Sequence, residues 1–534
     1  MKKVLLLIVS LVLCGSIFAQ YESHYPDVDI HQYGMYGIMV TAVSIDGNMI
    51  TPNDNYEAYE VATFVEGECR GHMFLSYFEG DSYVVADQLQ ARYLSLPSPE
   101  VGKEVTFKLY DHVNGEEYTY CISSDAVVTG VDYIADYEDG VLVRDYYDDP
   151  IILSFFHAYT KLIDPYTEDG GYYLIASPIG EVMAKDVVGL RTPTFDFYSF
   201  LQNPEDGLEW INHKNQEEYL LQPGVGYLYA NSEGEDLVFL GAPFETDGKV
   251  TLTKVEEGPN VEFQGWNLVG NPFAETAYLN REFYVMNGDG DEIITAQRNY
   301  VNAMEGIFVI AATDGEEMIF SPTPTNGKGQ IVLNLTEELG NTIDRAIVRF
   351  GQGGTLPKFM LNENNTKMYI PKDDKDYAVV RSNKTGKLPV NFKAAQDGVY
   401  SISVDVENTN SLCYLHLVDN LAGIDVDLLQ NPSYRFDAKT KDEAKRFTLV
   451  FESKLIKELS AIKEGDSFSF CNNGNWIINN EGDAILQVVD VNGQILSSEE
   501  INGSVSKRID AAPGVYMLRL INGKDMKVQK IVVE

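Results

Sequence analysis

Apolar residues recur along the chain in short, closely spaced runs broken by Gly, Asn, Asp and Pro, and stretches with a helical period are nearly absent. The pattern predicts an all-β protein, with several β-sandwich domains in a row. Val105-Thr106-Phe107-Lys108-Leu109-Tyr110, Arg345-Ala346-Ile347-Val348-Arg349-Phe350 and Tyr400-Ser401-Ile402-Ser403-Val404-Asp405-Val406 alternate with period two, which reads as strands with one buried and one wet face. Asp46-Gly47, Asn114-Gly115, Asn492-Gly493, Asn502-Gly503 and Asn522-Gly523 read as turns, because these residues tolerate the positive φ that two-residue hairpins require. The second of them should lead from the Val105 strand into Tyr118-Thr119-Tyr120-Cys121.

Breaks in the pattern divide the chain. Residues 20–157 read as a first β-sandwich domain. Residues 159–324 hold an internal duplication, with halves at about 170–250 and 264–324. Gly171-Tyr172-Tyr173-Leu174-Ile175-Ala176-Ser177-Pro178-Ile179 matches Gly265-Trp266-Asn267-Leu268-Val269-Gly270-Asn271-Pro272-Phe273. Gly226-Tyr227-Leu228-Tyr229-Ala230 then matches Gly306-Ile307-Phe308-Val309-Ile310, and Leu237-Val238-Phe239 matches Met318-Ile319-Phe320. Two such units are expected to share a core, since one alone would leave an apolar face exposed. Residues 328–453 read as a further β-sandwich, 454–464 as a polar linker, and 465–534 as a small Ig-like antiparallel sandwich near the lower size range for an independent fold.

The start of the chain changes the picture. Lys2-Lys3, the apolar run from Val4 to Leu13 and the small residue Ala19 have the layout of a signal peptide on residues 1–19, cleaved between Ala19 and Gln20. A lipoprotein signal at Cys14 fits less well, because Leu13 stands where a small residue is expected. The run is too short for a membrane span, and no transmembrane helix is expected in the mature chain. Lys plus Arg is 40 against 81 Asp plus Glu, a net charge of −41. Such acidity excludes nucleic acid as a natural partner and disfavours an anionic membrane surface. The tail from Gly465 has nine acids against six bases, so the excess belongs to the passenger. Export also permits oxidation. Cys69 and Cys121, in one expected domain, form the candidate disulfide, whereas Cys413 and Cys471 read as buried small hydrophobes.

Asp490-Val491-Asn492-Gly493-Gln494, then Pro513-Gly514-Val515-Tyr516-Met517-Leu518-Arg519-Leu520, then Asn522-Gly523-Lys524 and Lys530-Ile531-Val532-Val533 resemble the C-terminal sorting domain of type IX secretion cargo of Bacteroidota. The resemblance covers the last 70 or so residues. It implies an export address read at the outer membrane after Sec passage, with the secretion machinery as partner and the passenger released or anchored at the surface. Phe64-Val65-Glu66-Gly67-Glu68-Cys69-Arg70-Gly71 with Phe107-Lys108-Leu109-Tyr110-Asp111, and Gly265 to Phe273, resemble extracellular β-modules of the same bacteria. That second resemblance implies location and architecture but no chemistry.

Catalytic signatures are missing from the sequence. His24, His31, His72, His112, His157, His213 and His416 form no HExxH motif and read as scattered surface or core residues, and no serine sits in a GxSxG elbow. Asn287-Gly288-Asp289-Gly290-Asp291-Glu292 begins like a calcium loop, but positions six and twelve hold Glu292 and Arg298 instead of Gly and Glu. A hairpin turn between Tyr284-Val285-Met286 and Ile293-Ile294 is the better reading. The acidic stretch Asp132 to Asp149 reads as a solvated loop, with calcium the one cofactor left open. No catalytic, cofactor-binding or metal residue is assigned. The expectation is a non-enzymatic exported protein whose passenger binds an extracellular protein or glycan. The alternatives are a hydrolase whose carboxylate pair is hidden among the 81 acids, and a spacer. A cleft with two facing carboxylates of raised pKa would favour the hydrolase, and a platform of Tyr and Trp would favour binding.

Overall fold

The structure is a computed structural model, and it describes residues 21–77, 84–94, 99–167, 170–190, 193–203, 209–214, 216, 218–255, 261–324, 329–337, 340–350, 354–359, 364–383, 385–409, 412–453, 468–472, 475–480, 482–509, 511–522 and 525–533. The signal segment 1–19 with its Ala19–Gln20 junction and the linker 454–464 lie outside these residues. Among the described residues the regular elements are β-strands and three short 3-10 turns.

The first two sheets pack face to face. One joins Asn48–Met49, Met35–Ile45, Ile151–Phe156 and Tyr120–Ser123, with Val85–Tyr93 also paired to Met35–Ile45. The other joins Glu68–Phe74, Tyr59–Val65, Thr106–Asp111 and Glu116–Tyr118. Alternate residues of both, such as Val40, Val61, Phe107, Leu109 and Leu153, fill the space between them. The Asn114-Gly115 hairpin forms, but the strand after it stops at Tyr118. Tyr120–Ser123 crosses to the other sheet and pairs with Ile151–Phe156, so the expected run through to Cys121 is cut in two.

The duplication extends to the order of pairing. In the first unit Tyr173–Ala176, Gly226–Asn231, Phe195–Phe200 and Trp210–Asn212 lie side by side, Val182–Met183 pairs Leu220–Leu221, and Ala158–Lys161 pairs Leu237–Leu240. In the second unit Trp266–Gly270, Gly306–Ile310, Tyr284–Met286 and Ile293–Thr295 repeat that order, Ala277–Tyr278 pairs Tyr300–Val301, and Lys249–Thr251 pairs Glu317–Ile319. The pairing places Lys249–Thr251 in the second unit, ahead of that half's expected start at about 264. That strand closes on the last strand of its own unit, as Ala158–Lys161 does in the first.

The units meet reciprocally. Ala176 N–H donates to Met304 O (3.2 Å), and the matching Gly270 N–H donates to the matching Gly224 O (3.0 Å). Ile175 bridges Glu305 just as Val269 bridges Val225. This is the isologous pattern of a two-fold dimer, built here within one chain.

Residues 329–453 form an eleven-stranded sheet curled around its own core of Ile331, Val348, Phe392, Leu417, Phe447 and their neighbours. Thr342–Phe350 lies within it, and its expected wet face is covered. Val332, Ile347, Leu356, Phe359 and Val379 on the outer surface pack against Leu174, Trp266, Leu268, Tyr284 and Phe308 of the duplicated region. The polar members of the alternation are consumed there. Arg349 pairs with Glu282 at 2.7 Å with both side chains buried, and Arg345 reaches Thr295 O at 3.1 Å.

In the tail, Ser469–Asn472, Asn475–Ile478 and Val505–Lys507 form one sheet, and Ile495–Asn502, Asp483–Asp490, Gly514–Asn522 and Asp525–Val533 form the other. Leu486, Val488, Leu518, Leu520 and Ile531 fill the space between. Asn492-Gly493 is the expected hairpin turn. Asn502-Gly503 is not, because it carries the chain from the second sheet to the first.

A junctional cleft and the sorting tail

A cleft opens where the two duplicated units meet the eleven-stranded sheet. Three local features build it. Hairpin pairing of Tyr284–Met286 with Ile293–Thr295 forces residues 287–292 into the turn expected from the sequence. Asn287 closes it: its Oδ1 accepts the N–H groups of Asp291 (3.1 Å) and Glu292 (3.2 Å), and its Nδ2 donates to Asp291 Oδ1 (2.6 Å). The loop is thus tied by its own amide, and Asp289 takes a hydrogen bond from Asn341. Second, Gly171 and Tyr172 donate their N–H groups to Asp289 O and Gly290 O, clamping the first unit onto this turn. Gly290, at φ 71°, lies so close that a Cβ there would be 2.5 Å from Tyr172 O. Third, Lys358, Phe359 and Asn365 come in from the eleven-stranded sheet.

Two adjoining cavities result. The larger, about 860 Å³, is lined by Lys161, Asp164, Tyr166, Tyr172, Tyr173, Asp289, Asp291 and Glu305 among others. The smaller, about 250 Å³, is lined by Tyr172, Trp210, Asp291, Glu292, Phe359 and Asn365 among others. Tyr172, Met286 and Asp291 belong to both.

Burial, with the Asp291 and Asp344 charges adding to it, pushes the Glu292 carboxyl up to about 7, against the opposing pull of Asn365 and Lys358. Asn365 Nδ2 lies 2.7 and 2.8 Å from its two oxygens. Asp344 is fully engaged: Lys358 Nζ lies 2.5 Å from both its oxygens, and the Met368 N–H donates at 2.7 Å. Burial lowers the Lys161 pKa, with nearby Glu305 opposing; its ammonium lies 5.5 Å from the Tyr173 ring centroid.

The internal symmetry explains why the cleft is open. Tyr172, Leu228 and Trp210 hold the places in the first unit that Trp266, Phe308 and Ile293 hold in the second. Phe359 seals the second copy, with centroids 4.4 Å from Trp266 and 4.9 Å from Phe308. The first copy keeps Tyr172, Leu228 and Trp210 half-exposed at the cavity wall.

The sequence also missed a polar centre in the first domain. The Glu60 side chain is wholly buried and meets Ser23 Oγ (2.5 Å), the His24 N–H (2.8 Å), His72 Nδ1 (2.8 Å) and His112 Nε2 (3.0 Å). Burial alone would push its carboxyl up, but these hydrogen bonds outweigh it and hold the pKa at about 2. Histidines read as scattered are thus gathered by cross-strand pairing, which places His72 and His112 beside Glu60. Ser23 Oγ and Glu60 Oε1 both address His72 Nδ1, so the group is not a serine relay, which needs the two on opposite ring nitrogens. Among the described residues no group of three or more His, Cys, Asp or Glu is placed to hold a metal ion.

Cys69 and Cys121 do not pair: they stand on different sheets, and both are free thiols. Burial pushes the Cys121 thiol up to about 12, away from reactivity. Cys413 is half-buried and Cys471 exposed, so neither is the core hydrophobe expected.

The sorting-motif residues serve the tail's own turns and core. Asp490 Oδ1 accepts the N–H groups of Asn492 and Gln494, both at 2.8 Å, closing the turn at Gly493. Pro513 leads into the strand that starts at Gly514. Tyr516 OH donates to Ala512 O, and Leu518 is buried. Val515 pairs with Val532 at the surface, and Met517 with Lys530.

Residues 472–534 match the family model described as "Secretion system C-terminal sorting domain". The tail is therefore a type IX sorting domain, and the chain is cargo of that system, carried to the cell surface or the extracellular space. No curated protein matches the chain. Among solved structures it aligns with "Escherichia coli alpha-2-macroglobulin activated by porcine elastase" at 10% identity and a TM-score of 0.10, over 94% of this chain and 53% of that one. The chain thus spans about half the length of that structure. No helix of the described residues is long and apolar enough to cross a membrane.

Proposed function

We propose that the passenger acts outside the cell by binding, without catalysis, and that the junctional cleft is where it binds. The observation that carries this reading is the open copy of a duplicated aromatic face. Trp266 and Phe308 are covered by Phe359, while the corresponding Tyr172 and Leu228, with Trp210, line a cavity. A concave site with aromatic walls and a few polar groups is the usual form of a ligand pocket. The acidity of the passenger suits an extracellular surface that avoids nonspecific association with other anionic surfaces.

One observation favours a hydrolase instead. Glu292, with a carboxyl pKa of about 7, has the protonation behaviour of a general acid. Asp344, a buried carboxylate whose charge acts on Glu292, is bound by Lys358 and the Met368 N–H, which leaves it unsuited to activate a water or attack a substrate. The binding reading is therefore preferred.

The test is a screen of the purified mature protein against glycans and extracellular proteins, run beside Trp210→Ala. A partner captured by the parent protein and lost by the variant supports the cleft. Capture at equal strength by both rejects it. Turnover of a captured partner that stops in Glu292→Gln would establish the hydrolase.

A further inference from the structure

We infer that the ligand of the junctional cleft is an uncharged sugar chain, an oligosaccharide without carboxylate or sulfate groups. The inference rests on the cleft being the binding site and adds the chemical class of what enters it.

Charge narrows the class first. The larger cavity has Asp164, Asp289, Asp291 and Glu305 in its walls against one cationic lining residue, Lys161. Glu305 is ion-paired with Arg298 at 2.5 Å, but Asp164, Asp289 and Asp291 are solvent-exposed and form no ion pair among the described residues. Uronic acids, sulfated glycans and nucleotides would be repelled there. A basic peptide would meet Lys161 in the larger cavity and Lys367 in the smaller one, where the Lys358 ammonium is already held by Asp344.

Hydrogen-bonding capacity narrows it further. Among the described residues, the side chains of Asp289 and Asp291 each accept from one neighbouring amide, Asn341 and Asn287, through one oxygen. Their other oxygens, with the three N–H donors of Lys161, form a mixed array that matches hydroxyl groups, which both donate and accept. Aromatic groups supply the remaining requirement. Tyr166 and Tyr172 meet edge to face at 5.0 Å, and Trp210 stands in the smaller cavity beyond Tyr172. Sugar rings offer apolar C–H faces to such side chains and hydroxyl edges to carboxylates. Because Tyr172 and Asp291 line both cavities, a chain of rings fits better than a single ring.

Calorimetry on the full mature protein tests this. The probes are cellohexaose, mannohexaose and chitohexaose as neutral chains, hexagalacturonate as the acidic one, and hexalysine as the basic peptide. At least one neutral hexasaccharide is expected to bind, and hexagalacturonate is not. Trp210→Ala and Tyr172→Ala should weaken binding about tenfold or more, and Lys161→Met about fivefold. Tyr166→Ala, at an exposed position, keeps the test sound if Tyr172→Ala fails to fold. Absence of binding by all three neutral chains at millimolar concentration overturns the inference, and so does tighter binding of hexagalacturonate or hexalysine. If hexalysine binds and Trp210→Ala abolishes it, the cleft stands and only the sugar assignment falls. If a neutral chain binds equally to every variant, the cleft itself is rejected.

Discussion

Gly226 and Gly306 occupy the same place in the two halves of the duplication, and each presses against the backbone of the other half. A Cβ on Gly226 would stand 2.6 Å from Val269 O, and one on Gly306 would stand 3.0 Å from Ile175 O. The residues they approach are themselves equivalent. The glycine that opens both repeated motifs is therefore an interface residue, and the duplication exists in the fold as a dimer-like contact.

Replacing Gly226 by Ala should destabilise the protein by about 2 kcal/mol, in the range for overpacking a tight contact. Gly306→Ala should have a smaller effect, because its nearest neighbour is farther away. Urea melts of both variants check the order. Equal and negligible effects would show that the units do not pack as closely as their backbones indicate.

The Glu282–Arg349 pair joins the second unit to the eleven-stranded sheet with both side chains 3–4% exposed. Glu282→Gln should cost about 3 kcal/mol, because it leaves the guanidinium buried without its counter-charge. Glu282→Leu with Arg349→Met should recover most of that loss, since a buried ion pair and an apolar pair of similar size are often equivalent. Thermal unfolding of the single and double variants measures both. A double variant no better than the single one would mean that the pair supplies stability an apolar contact cannot.

Much of this arrangement was legible in the sequence. Period-two alternation and turn dipeptides located the strands around Phe107, Ile347 and Ile402, and three ordered matches located the duplication. What failed were inferences about which face is wet. Arg345 and Arg349 look like solvent-facing residues, and alternation cannot reveal that another module covers that face and supplies Glu282 to one of them. The cleft was invisible for a related reason. Lys161, Tyr172, Trp210, Glu292 and Asn365 come from separate strands and loops, and only packing brings them together. Asn502-Gly503 shows the limit of turn chemistry: the dipeptide permits a reversal, but the pairing of Val505–Lys507 with Asn475–Ile478 decides where the chain goes.

Two carboxylates, the half-buried Glu292 and the buried Glu60, should give opposite pH slopes. Glu292 has its pKa raised from the usual 4.5 to about 7, so the folded protein holds a proton that the unfolded chain has lost between those values. Stability on its account rises as pH falls from about 7 towards 4.5. Glu60 is held at about 2, so its contribution is present above 4.5 and is lost as pH falls through about 2. Denaturant melts across pH should show Glu292→Gln flattening the upper window and stabilising the protein above pH 7. Glu60→Gln should weaken the protein near neutrality and flatten the acidic limb. A Glu292→Gln profile that parallels the parent between 4.5 and 7 would show that this carboxyl is not held neutral by burial.

Deleting residues 465–534 in the native host should leave the passenger inside the cell envelope, because the sorting domain is the feature that directs export. Immunoblots of cell, outer-membrane and medium fractions read the outcome. Leu518→Asp offers a sharper version. Leu518 is fully buried between the two sheets of the tail, and an unpaired carboxylate there should unfold the sorting sandwich while leaving every passenger residue in place. If export requires the folded tail, this single change should match the deletion. If export requires only a linear signal, Leu518→Asp should still reach the surface while the deletion does not. Normal delivery of both proteins would mean that the passenger carries a second address of its own.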